Sequence, residues 1–201
     1  MTRRSEALSR STRERVLEAA KEAFLSKGYS ASMDSIASRA LVAKQTLYNQ
    51  FSSKETLFRE VVRVATESIL VALDDNSNDL RSDLVRFANA YREATLSYSG
   101  IAMFRTLTSE AQRFPILASA VYAVGPGQTL RQVALFIDKH MRAGRLRRDD
   151  PNLASEMLLG MLVGVDRTRY LLGVEVPPST VSGAKTTFII DNFLRAYAPA
   201  P

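Results

Sequence analysis

Periodicity is the feature that most constrains this chain: apolar residues recur every three to four positions through almost its whole length, and strand-like alternation is nearly absent. Helices built on such a pattern each bury one stripe, so the expected fold is all-α. The first segment, residues 12–27, carries Val16, Ala19, Ala20, Ala23 and Phe24 on one face. Ser11 followed by Glu14 has capping-box spacing, and Lys27-Gly28 supplies a basic last turn and a residue that accepts positive φ. Two short helices follow, 33–40 behind a Ser32 cap and 44–51, separated only by Leu41-Val42-Ala43. Short helices joined by a three-residue turn suggest a helix-turn-helix. Ser52-Ser53-Lys54-Glu55 reads as another capping box, opening a long helix with Leu57, Phe58, Val61, Val62, Ala65, Ile69 and Leu73 that ends near Asp74.

Residues 74–79 are acidic and turn-rich and read as a loop. Further helices are expected near 80–97, 101–113, 116–124, 128–143, 151–172 and 180–196. The breaks between them are set by Ser99-Gly100, Pro115, Gly125-Pro126-Gly127, Gly144, Asp149-Asp150-Pro151 and Pro177-Pro178. The expected division is between residues 1–53 and 54–201.

Composition narrows the chemistry. Zero Cys excludes disulfides, thiolate metal sites and a cysteine nucleophile, and one His, His140, excludes a multi-histidine metal site. The expectation is therefore no metal and no cofactor. Polar, basic residues open the chain where a signal peptide would need an apolar segment, and the longest apolar run, 157–165, is about half of the ~20 residues that span a bilayer. A cytoplasmic protein without a membrane partner is expected. The formal net charge is +6, and +4 of it lies in residues 1–55, where ten Lys+Arg face six Asp+Glu. An anionic partner of the first quarter, nucleic acid among the candidates, fits that bias.

The second short helix carries the most specific chemistry. Leu47 and Phe51 form one apolar arc, and Gln45, Thr46 and Asn49 point the other way, flanked by Lys44 and Tyr48. Gln and Asn can pair bidentately with adenine, Thr can meet a thymine methyl, and Lys can reach guanine. An ordinary solvated helix face is the alternative. Upstream, Arg3, Arg4, Arg10, Arg13 and Arg15 form a basic arm suited to phosphates or a minor groove, or simply a basic tail.

From Gly28-Tyr29 through Ile36-Ala37, Thr46-Leu47-Tyr48, Phe51 and Ser53-Lys54-Glu55-Thr56-Leu57, the chain resembles the N-terminal signature of the TetR family of bacterial transcription regulators. The resemblance covers residues 13–58. It implies that Gln45, Thr46 and Asn49 face bases, and that Ser32, Lys44, Tyr48 and Lys54 contact the DNA backbone. Leu41 and Ala43 depart from the family's usual Gly and Ser, which puts a less relaxed turn and an uncapped recognition helix in prospect. Glu110-Ala111-Gln112-Arg113-Phe114-Pro115 and Ala143-Gly144-Arg145-Leu146 also resemble stretches of TetR-like ligand-binding domains.

The expected function is a sequence-specific DNA-binding regulator, a homodimeric repressor released by an unknown small-molecule effector. Helix 151–172 is apolar nearly all round between Leu153 and Val165, and with the last helix it offers a dimer interface of Met157, Gly160, Met161, Gly164, Ile189 and Phe193. Candidate pocket residues are Phe87, Tyr91, Met103, Phe104, Leu107, Glu110, Tyr122, Phe136 and Tyr170, with His140, Asp166 or Arg167 as further polar anchors. Core packing is the simpler explanation for each of them, and Arg167 is expected to pair with Asp166 or a neighbouring acid. Two other readings stay open: an apolar-ligand carrier with weakened DNA binding, and a helical enzyme using Glu110 and Asp166. No paired metal-ligand pattern, Walker loop or dinucleotide loop supports the enzyme.

Overall fold

The structure, a computed structural model, describes residues 3–73, 79–176 and 183–199. In order these form α1 (Arg3–Lys27), α2 (Met33–Arg39), α3 (Lys44–Gln50), α4 (Lys54–Leu70), α5 (Leu80–Leu96), α6 (Tyr98–Glu110), α7 (Pro115–Val124), α8 (Pro126–Arg142), α9 (Pro151–Leu172) and α10 (Gly183–Ala196). Short 3-10 turns at Gly28–Ser30 and Val71–Leu73 complete the fold, and no strand occurs among the described residues. Of the loop expected at 74–79, residues 74–78 lie outside the described residues, as does the break at Pro177-Pro178, and Asp79 caps α5 by accepting the Arg81 N–H.

Local chemistry explains most helix ends. Gly28 turns the chain out of α1 at φ 59°, a conformation costly for any residue with a Cβ. Ser32 caps α2, its Oγ accepting the Ser35 N–H at 3.1 Å, and Asp150 caps α9 with Pro151 in the first turn. Other ends differ from expectation. Ser11 lies inside α1 and caps nothing. The cap of α4 is Ser53, which accepts the Thr56 N–H at 3.1 Å, while the Glu55 carboxylate accepts from the Tyr29 hydroxyl. The chain breaks at Ser97, whose Oγ accepts from Gly100 N–H, and Gly100 sits within α6. A Cβ there would collide with the Ala94 carbonyl, so this glycine serves close packing and is not a stop signal. Likewise Gly125 alone makes the break before α8, with Pro126 in the first turn and Gly127 buried inside.

Two compact units emerge. One comprises 1–64 with 102–124, the other 65–101 with 125–201. The physical reason is apolar: Leu57, Phe58 and Val61 of α4, with Leu117 and Val121 of α7, share one core with Val16, Phe24, Ile36 and Leu47. The second unit's core gathers Leu84, Phe87, Val133, Phe136, Ile137, Leu158, Leu162, Ile190 and Phe193.

The turn between α2 and α3 carries visible strain. Leu41 adopts φ 54° and is 86 % exposed, so it bears the left-handed penalty without burying its side chain. Ala43 caps α3 and offers no side-chain acceptor. Leu41→Gly is expected to stabilise the fold by about 0.5–1 kcal/mol, the left-handed cost less glycine's extra entropy. Ala43→Ser adds about 1 kcal/mol. Urea midpoints of the single and double variants check both, and unchanged midpoints would remove the strain argument.

Candidate nucleic-acid interface

The recognition helix is set by two anchors. Leu47 and Phe51 are fully buried in the first unit's core, which turns Gln45 and Asn49 outward into solvent. Tyr48 is exposed beside them and Thr46 is half-buried. On this face Gln45 Nε2 donates to Asn49 Oδ1 at 2.9 Å, so the two amides, one turn apart, form a pair with donors and acceptors left over. Lys44 is not idle: its ammonium lies 2.8–3.0 Å from the Asp34 carboxylate, and that bond raises its pKa.

Three positions expected to touch the DNA backbone have structural partners as well. Ser32 Oγ is engaged as the α2 cap. The Lys54 ammonium donates to the Tyr29 carbonyl at 2.8 Å and sits 4.3 Å above the Tyr29 ring. The Tyr29 hydroxyl donates to Glu55 at 3.0 Å, and burial, then that carboxylate, pushes the phenol up. Arg13, read as part of a basic arm, instead brackets the core: its guanidinium pairs with Glu60 and lies 5.2 Å from the Phe51 ring. Hydrogen bonds from Arg63 first and Arg13 next hold the Glu60 carboxyl down to about 2. Arg15 is exposed, and the side chains of Arg3, Arg4 and Arg10 lie outside the described residues.

The expected ligand-pocket residues are distributed over the two units. Met103, Phe104, Leu107, Glu110 and Tyr122 fall in the first unit, and Phe87, Tyr91, Phe136 and Tyr170 in the second. Met103 and Leu107 pack against the core that holds the helix-turn-helix, and Tyr122 is 56 % exposed. Phe87, Phe136 and His140 are fully or almost fully buried in the second unit. There Asp166 is held by Lys185 at 2.7 Å and by Arg92 at 3.3 Å. Burial works against its ionisation, but Lys185 and then Arg92 outweigh that, so it titrates below the usual carboxylate range.

Of the expected dimer contacts, Ile189 and Phe193 are corrected: both are buried in the chain's own core, so neither is available to a partner. Met161 is half-buried against the same core. Met157, Gly160 and Gly164 are exposed, together with Leu153, Val165 and Phe188. Arg92 was missed by sequence reasoning. The signal was its place in the buried α5 stripe, four residues after Ala88 and four before Leu96.

Comparison with known proteins agrees with this architecture. Residues 16–61 match the bacterial regulatory proteins of the tetR family, and residues 82–199 match the C-terminal domain of AefR-like transcriptional repressors. A putative TetR-family regulator from Mesorhizobium loti superposes with a TM-score of 0.78 at 28 % identity, covering 98 % of this chain and 100 % of that one. The flavonoid-responsive regulator FrrA superposes at 0.71 with 32 % identity, covering 94 % and 98 %. No curated protein matches the chain. No helix among the described residues is long and apolar enough to cross a membrane. With both halves matched and the helix-turn-helix in place, the chain belongs to the TetR family of bacterial transcriptional regulators and is a DNA-binding protein.

Proposed function

We propose that the chain is a homodimeric repressor, acting in the cytoplasm without catalytic activity, that leaves its operator when a small molecule binds the second unit. The observation that carries the DNA half is the outward Gln45–Asn49 amide pair on a helix pinned by Leu47 and Phe51. In this reading Gln45, Thr46 and Asn49 read base edges in the major groove. Lys44, Tyr48 and the half-exposed faces of Ser32 and Lys54 meet phosphates and fix the register. Response to a small molecule is supported by the flavonoid-responsive relative at 32 % identity.

Dimerisation is assigned to the exposed stripe of α9, Leu153, Met157, Gly160 and Gly164, together with Phe188 of α10. Leu153, Met157 and Gly160 recur at helical spacing up to Gly164, where the helix kinks at φ 43°, and Gly160 lets a two-fold-related helix approach closely. Two such subunits would present recognition helices to half-sites about one helical turn, ~34–36 Å, apart. Sedimentation of the full chain tests the dimer. Met157→Glu with Phe188→Glu should yield monomer with weak operator binding, and a persistent dimer would move the interface elsewhere.

Asp34 competes with DNA for Lys44 in this scheme. Asp34→Asn frees the ammonium and removes a carboxylate from beside the helix, so operator affinity is expected to rise about 3- to 10-fold at low salt, on the scale of one surface charge contact. Fluorescence anisotropy on the selected operator reads this directly. An unchanged Kd would take Lys44 out of the phosphate contacts.

A further inference from the structure

The buried stripe of α5 runs Leu84, Phe87, Ala88, Arg92, Leu96, so an arginine stands where an apolar side chain would complete the core. Arg92 is 3 % exposed. A guanidinium so deeply buried needs full compensation, and this one lacks it. Its Nη1 donates to the Leu162 carbonyl, its Nη2 reaches Asp166 only at 3.3 Å, and its Nε has no hydrogen-bond partner. Asp166 is a shared counterion: Lys185 Nζ sits 2.7 Å from both of its oxygens, and Arg169 lies at 3.9 Å. Glu175 adds a second carboxylate, 3.6 Å from Arg169. Arg92, Lys185 and Arg169 thus meet two carboxylates, and the best geometry belongs to Lys185.

The under-used edge of Arg92, Nε with Nη2, is the edge that grips a carboxylate through two parallel hydrogen bonds. Its flank suits an organic body. Phe87 and Tyr91 stack with ring centroids 5.8 Å apart on the turn just before it, and the Tyr91 hydroxyl is hydrogen-bonded to Arg167. We propose that Arg92 is the anion anchor of the effector site and that the effector class is an organic acid, a carboxylate carried on an apolar or aromatic body. The acid takes Nε and shares Nη2, and Asp166 stays with Lys185. This inference rests on the reading of the chain as an effector-released repressor.

The test uses the full-length protein and matched probes at pH 7: cinnamate against cinnamyl alcohol, octanoate against octanol, and a flavonol as an acidic phenol. Calorimetry reads binding, and anisotropy on labelled operator reads release. At least one acid should bind about tenfold or more tighter than its alcohol, the scale of a charge-assisted pair. Arg92→Met should bring that preference within about twofold and leave probe-free operator binding unchanged. Asp166→Asn removes the competing carboxylate and should tighten acid binding several-fold, which decides the matter if Arg92→Met does not fold. Equal binding of acids and alcohols, no binding of any acid, an acid preference surviving in Arg92→Met, or no gain in Asp166→Asn each overturns the anchor. A flavonol that binds while no carboxylate does overturns the carboxylate assignment. Operator release by alcohols alone would remove the anchor but keep the effector-released repressor. Acid binding through Arg92 without operator release would keep the anchor and remove that reading.

Discussion

Replacing Gln45 and Asn49 together by alanine is expected to erase sequence preference while leaving nonspecific DNA binding largely intact. Both side chains are exposed on α3 and bonded to each other, so neither supports the core, and stability should change by less than about 0.5 kcal/mol. Each base-directed bidentate contact is worth about 1–3 kcal/mol of discrimination. A dimer loses such contacts in both half-sites, so the ratio of specific to nonspecific affinity should fall by about 10³-fold or more. The phosphate contacts remain, and the salt slope should barely move. Selection from a random-duplex pool with wild type and variant reads this, and an unchanged enriched motif in the variant would remove α3 as the reading element.

Phe58→Ala is expected to be the most damaging single change to the first unit. Phe58 is 1 % exposed and meets Phe24 edge-on at 4.8 Å and Tyr29 at 5.5 Å. Truncating so buried an aromatic costs about 3–5 kcal/mol, a large share of the 5–15 kcal/mol typical of a domain. Tyr29 also receives Lys54 on its ring and carbonyl, so losing the aromatic cluster loosens the start of α4 as well. Urea unfolding followed by far-ultraviolet dichroism should show the midpoint fall, with operator affinity falling in parallel. A loss below about 1 kcal/mol would mean that the ring is not central to this core.

Elements with strong punctuation were readable from residues alone. Asp150-Pro151 set the start of α9, and Ser32 marked the start of α2. The helix-turn-helix was readable for the same reason, since Leu47 and Phe51 share one arc and only one face of so short a helix can be buried. Glycine misled where it served packing: Gly100 suggested a stop, yet it lies in the first turn of α6, where the close Ala94 carbonyl leaves no room for a Cβ. In α10, Phe188, Ile189, Ile190, Phe193 and Leu194 make more than one face apolar, and only the tertiary structure decides that Ile189 and Phe193 turn inward and Phe188 outward. Charge pairing across helices was equally hidden. Asp166 lies beside Arg167 in sequence but is bonded to Arg92 and Lys185, which only packing brings to it.

The central claim is that the outward face of α3 makes this chain a sequence-selective DNA-binding dimer. Titrating the full chain on its selected operator and on a shuffled duplex between 50 and 200 mM salt tests it most directly. The four cationic contacts of a dimer, Lys44 and Lys54 from each subunit, predict a loss of about 10²-fold or more in affinity over that range for both duplexes, with the operator still bound about 10³-fold or more tighter throughout. Equal affinity for the two duplexes, or binding indifferent to salt, would contradict the account.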